Sequence, residues 1–85
     1  MKWYTFEWDE NNIDHIARHD YTPDEVEEVF IENCEVRRIG ERYIARGATI
    51  DGRMTVVVFE RKKTAIRVVT ARDMNAREKQ AFRRK

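Results

Sequence analysis

From residue 35 onward the chain keeps an extended period with turn signals at short intervals. That stretch limits the fold more than any other. "EVRRI", "RYIARGATI", "RMTVVVFER" and "AIRVVTA" are separated only by "GE", "DG" and "KK". Connections this short join antiparallel neighbours, because parallel strands need a crossover of roughly a dozen residues or more. Asp51-Gly52 is the strongest turn signal and predicts a two-residue type I′ hairpin with positive φ at both positions. "WYTF" at 3–6 is aromatic and β-branched and reads as a further short strand.

Helical signals flank the strands. Asp9 is placed to cap a first helix over about residues 10–19, where Ile13, Ile16 and Ala17 form the apolar side. At 100° per residue, Asn12, His15 and His19 fall about a third of a turn away, which predicts a polar face. "TPDE" opens a second helix, with Thr22 as N-cap, Pro23 in the first position and Glu25 completing a capping box. Val26, Val29 and Phe30 give its buried stripe, and Asp24, Glu25, Glu27 and Glu28 read as a mostly solvated face. "NARE" repeats the capping box at Asn75 and Glu78, starting a last helix from which Met74, Ala81 and Phe82 reach the core. The expected fold is α+β in the order β-α-α-β-β-β-β-α, a small antiparallel sheet with two N-terminal helices and one C-terminal helix.

A chain of 85 residues makes a single domain over residues 1–85, with 39% charged and 41% hydrophobic residues marking it as globular. One cysteine, Cys34, excludes an internal disulfide framework and fits a reducing compartment. "MKWYTFEWDE" holds no apolar signal region, and no run is long enough to span a membrane, so the expectation is a soluble cytoplasmic protein. The net charge of +1 conceals a polarity: residues 1–60 carry 7 Lys and Arg against 14 Asp and Glu, residues 61–85 carry 10 against 2. Such asymmetry fits either a basic surface for a polyanion or acidic partner, or a fold whose acidic and basic parts face each other.

The only two histidines lie in "DHIARHD", four residues apart and on one side of a helix. Zinc sites use that spacing but need three or four ligands. Cys34 is distant and there is no "HExxH", so no metal site is expected. The pair reads as a polar helix face.

Several stretches together resemble BrnT-type toxins: "FEWDENN" at 6–12, "RHD" at 18–20, "TPDEVEEVF" at 22–30, "DGRMTVVVF" at 51–59 and "IRVVTARDMNAREKQAF" at 66–82. The resemblance is in order and spans nearly the whole chain. It implies a RelE-like fold and a metal-independent ribonuclease without a cofactor, acting as the toxin of a type II toxin–antitoxin pair. Its implied partner is a ribbon-helix-helix antitoxin of the BrnA kind, with promoter DNA bound only through the antitoxin complex. The family's residues map onto Trp8, His19, Arg61, Arg67, Arg72 and Glu78, and Arg77 joins Trp8 and the arginines as an RNA contact. The chain departs from the family at Asp20, where glycine is usual, at His15, where asparagine is frequent, and at Lys62 and Lys63, where a tighter glycine turn is common.

Cutting RNA without a metal requires a base for the 2′-OH, cations for the charged phosphorane and an acid for the leaving oxygen. Histidine ordinarily titrates near neutral pH, so His19 is the acid–base candidate. Arginine binds two phosphate oxygens with its planar fork, which suits Arg61, Arg67 and Arg72. Arg67 and Arg72 lie five apart, so a regular strand puts them on opposite faces. Each residue also has a structural reading: Trp8 as groove wall, Glu78 as helix cap, Arg67 as an ion-pair partner, His19 as a cation at a helix end. Two functions therefore stand, an RNA-cutting toxin and a degenerate toxin-like module that only holds an antitoxin or nucleic acid. Strand edges permit a dimer without demanding one.

Overall fold

The computed structural model describes residues 5–31 and 34–83. In chain order the elements are β1 (Thr5–Glu7), α1 (Glu10–Ala17), α2 (Pro23–Val29), β2 (Glu35–Ile39), β3 (Arg42–Ala48), β4 (Met54–Lys62), β5 (Ala65–Asp73) and α3 (Ala76–Arg83). This is the expected α+β order. β2 to β5 pair antiparallel in sequence, and β1 adds in parallel beside β5, giving a mixed sheet in the order β1-β5-β4-β3-β2. β1 can be parallel because the whole chain between it and β5 serves as its crossover. "WYTF" is described only from Thr5 onward; Trp3 and Tyr4 lie outside the described residues.

One face of the sheet carries the core. Ala45, Val57, Phe59, Ile66, Val68 and Ala71 meet Ile16, Tyr21, Val26, Val29 and Phe30 from the helical segment. Aromatic contacts run through it: Phe6 meets Phe30 edge-on at 5.3 Å, Phe30 meets Phe59 at 5.3 Å, and Tyr43 stacks on Phe59 at 5.4 Å. α2 lies so close to β3 at Gly47 that an added Cβ would stand 3.0 Å from Val29 Cγ1.

The buried side of α1 differs from the expected one. Ile16 is buried as expected, but Ala17 is exposed and Ile13 is 37% exposed, whereas Asn12 is 3% exposed. Asn12 turns inward because its Nδ2 donates to the carbonyls of Glu7 (2.9 Å) and Val68 (3.0 Å), satisfying β5 where β1 has ended. Its Oδ1 accepts from the Asp9 amide at 2.8 Å while Asp9 accepts from the Asn12 amide, so one side chain both caps α1 and seals the sheet edge.

Two turns also differ. Of the Asp51-Gly52 pair only Gly52 has positive φ (89°), and the Gly52 amide donates to the Thr49 carbonyl at 2.9 Å. The loop is therefore a longer turn ending in a left-handed glycine, not a two-residue type I′ hairpin. Ala81 is exposed instead of buried, Met74 is buried, and Phe82 is half-buried against a hollow lined by Val29, Ala48 and Ile50.

Replacing Asn12 by alanine leaves two inward carbonyls without their donor. The expected cost is about 2 kcal/mol in urea unfolding, against no more than about 0.5 kcal/mol for the exposed Asn11→Ala.

Candidate nucleic-acid interface

The opposite face of the sheet is more open, and strand register decides what it carries. β4 and β5 pair as Val56↔Arg72, Val57↔Ala71 and Val58↔Thr70, then resume as Phe59↔Val68 and Glu60↔Arg67. Val69 is the extra residue, a β-bulge. Arg72 and Arg67 thus sit opposite Val56 and Glu60, four apart on regular β4, and project from the same face. The regular strand assumed from sequence would have separated them; one bulged residue reverses that result. They lie about 13 Å apart along the strand.

Continuing the register outward adds Arg42 and Arg46 of β3 and Arg37 of β2 to this face, with Glu35 beside Arg46. Five arginines therefore share it. Several are already paired with carboxylates. Arg67 Nη1 lies 3.0 Å from Asp9 and 3.6 Å from Glu7, and Arg46 lies 2.9 Å from Glu35. Arg42 meets Glu60 more loosely at 3.4 Å. The hydrogen bond from Arg67 is the first cause holding the Asp9 carboxyl below its ordinary range.

Arg72 has the most defined geometry. Its two Nη atoms donate to the two oxygens of Glu78 at 2.8 and 2.9 Å, a bidentate fork. Glu78 also accepts from the Asn75 amide at 2.9 Å, while Asn75 Oδ1 accepts from the Glu78 amide at 2.8 Å. The capping box is therefore present, and the same carboxylate anchors α3 to the arginine-bearing face. The Arg72 hydrogen bonds, followed by the Asn75 amide, pull Glu78 down to about 2.

The remaining candidates lie elsewhere. Arg61 pairs with Ile66 and so projects from the helix-covered face, apart from Arg67 and Arg72. Arg77 is exposed on α3. Trp8 is half-buried, stacks on Phe6 at 6.4 Å and donates from Nε1 to Glu27 at 2.8 Å. Glu27 is thus a tether between α2 and Trp8, and Glu28 accepts from the Ile50 amide at 3.0 Å. These two acids are anchors where sequence suggested a solvated face.

His19 is exposed, and its turn is firmly built. The Tyr21 amide donates to Ile16 and the Asp20 amide to Ala17, a Schellman closure of α1 with Asp20 at φ 65°. Asp20 therefore takes the left-handed conformation that glycine would supply. Arg53 clasps it, donating to the carbonyls of Asp20 (2.7 Å) and His19 (3.0 Å) and lying 3.7 Å over the Tyr21 ring. Tyr21 donates to Asp73 at 2.7 Å, and burial pushes its hydroxyl up to about 12. Among the described residues, no hydrogen bond or ion pair joins His19 to Arg61, Arg67 or Arg72. His15 instead overlooks the arginine-bearing face, in a groove with Arg42, Glu60 and Arg67. Sequence gave no role to Arg42 or Glu60, because only cross-strand register brings them to Arg67. Among the described residues, no group of three or more His, Cys, Asp or Glu is placed to hold a metal ion. None of the described helices is long and apolar enough to cross a membrane.

Residues 8–78 match the family described as ribonuclease toxin, BrnT, of type II toxin-antitoxin system. The chain belongs to the BrnT family. It is thereby a ribonuclease toxin of the toxin–antitoxin kind, and BrnT toxins of this class have an antitoxin as partner. No curated protein and no solved structure matches it. The BrnT match takes in Trp8, His15, His19 and every arginine of the open face.

The depressed Glu78 carboxyl makes a pH test. A group whose folded value lies below its unfolded value adds stability above the unfolded value and loses it as pH falls through the folded one. Glu78→Gln should lower stability at neutral pH by about 1–2 kcal/mol, reduced by the solvent that reaches Arg72. In thermal melts the gap to wild type should close as pH falls from 4.5 towards 2.

Proposed function

We propose that this toxin is a metal-independent endoribonuclease that inhibits growth by cutting RNA held across the open face of its sheet. The observation that carries the reading is the shared face of Arg67 and Arg72, together with Arg42, Arg46 and Arg37. Guanidinium groups on one surface track a phosphate backbone, and their planar forks match its oxygens better than ammonium groups do. Arg67 and Arg72 stabilise the charge that grows on phosphorus during cleavage. Arg77 extends the contact along α3, Trp8 forms a wall, and Arg61 takes a peripheral phosphate. The family's antitoxin, of ribbon-helix-helix form, silences the toxin by covering this face, and promoter DNA is held only through that complex.

Purified toxin should cut a mixed RNA substrate in excess EDTA. Arg72→Ala and Arg67→Ala should each slow cleavage about 10²–10³-fold, and Arg61→Ala much less. Arg72→Lys keeps the charge without the fork and should recover little. A folded wild type that leaves all RNA intact would instead favour a module that only holds its antitoxin or nucleic acid.

A further inference from the structure

The groove beside Arg67 holds side chains that neither charge binding nor the family's motif residues account for. It is an open groove of about 210 Å³ lined from four elements: Asn11 and His15 of α1, Arg42 of β3, Glu60 of β4, and Arg67 and Val69 of β5. The volume is below the ~300–1,000 Å³ of a drug-sized pocket. That suits one sugar–phosphate link of a chain crossing the face better than a whole enclosed ligand. An imidazole, a carboxylate and two guanidinium groups thus line one opening. The Val69 bulge lies on its wall, so the feature that turns Arg72 to this face also shapes the groove.

We infer that this groove is the cleavage centre, with Glu60 as general base and His15 as general acid. The inference rests on the endoribonuclease reading and gives it a reaction site. Glu60 accepts the 2′-OH proton as a new bond forms between the 2′-oxygen and the adjacent phosphorus. The bond from phosphorus to the 5′-oxygen breaks, and the His15 imidazolium protonates that oxygen as it leaves. The products are a 2′,3′-cyclic phosphate and a free 5′-OH, with Glu60 left protonated and His15 neutral until solvent restores both. Arg42 and Arg67 hold the non-bridging oxygens. Glu60 is free enough for this role, since its contact with Arg42 spans 3.4 Å and both side chains are solvent-accessible. His19, on the turn clasped by Arg53, stays outside the chemistry.

Two histidines make the test direct. Titrating the whole protein with 2′-O-methyl RNA, which cannot cyclise, should shift the ring signals of His15 in NMR and leave those of His19 in place. His15→Gln and Glu60→Gln should each lower kcat by about 10²–10⁴-fold with little change in KM, and unchanged melting curves should show both variants folded. Cleavage at the wild-type rate by His15→Gln, or a shift confined to His19, overturns the assignment while leaving the endoribonuclease reading intact. A wild type that cuts no RNA at all overturns both.

Discussion

A single extra residue in β5 decides which face the arginines occupy. Without Val69 between the paired positions Val68 and Thr70, either Arg67 or Arg72 would point into the layer of helices. An unpaired guanidinium there would be costly to desolvate. The bulge lets β5 satisfy the core on both sides of it: Ile66 and Val68 face inward before it, Ala71 after it. Local disruption of one ladder thus reconciles a continuous apolar layer with two basic positions on the opposite surface.

The same surface depends on the outer fastenings of the sheet. Asn12 replaces the missing end of β1 with a side-chain amide, which fixes α1 along β5 and sets His15 over Arg67 and Glu60. At the other end of α1, Arg53 ties the β3–β4 connection to the turn at His19 and Asp20. Glu78 joins α3 to Arg72. Each fastening is a polar side chain meeting groups that the backbone or another side chain leaves unsatisfied.

Much of the fold was legible because it depends on local rules. The capping boxes at Thr22 and Asn75 and the four-strand run at 35–73 follow from spacing alone. The burial of Asn12 departs from the helical pattern because periodicity counts apolar residues and cannot show that a buried amide has two carbonyls waiting. The shared face of Arg67 and Arg72 was invisible for a related reason. Nothing in "IRVVTAR" marks which valine bulges; pairing with β4 decides it. Arg61 and His19 come from the family resemblance, and their places in space depend on register and turn geometry that a motif does not record. Arg42 and Glu60 are far from Arg67 in sequence and become its neighbours only across strands.

The carboxylates on the arginine-bearing face give the free protein a pattern of its own ligand. Asp9 and Glu7 at Arg67, and Glu78 at Arg72, hold carboxylate oxygens against the guanidinium groups, in the positions that phosphate oxygens would take on the proposed reading. Recognition then proceeds by exchange, one anion replacing another, and not by the pull of bare positive charge. A casual polyanion gains little, because displacing a carboxylate returns nearly as much as it removes. Only a ligand that engages several forks together, at the separation fixed by the bulged strand, comes out ahead. On the proposed reading, a chain of net charge +1 would in this way select nucleic acid by shape while attracting very little of it indiscriminately.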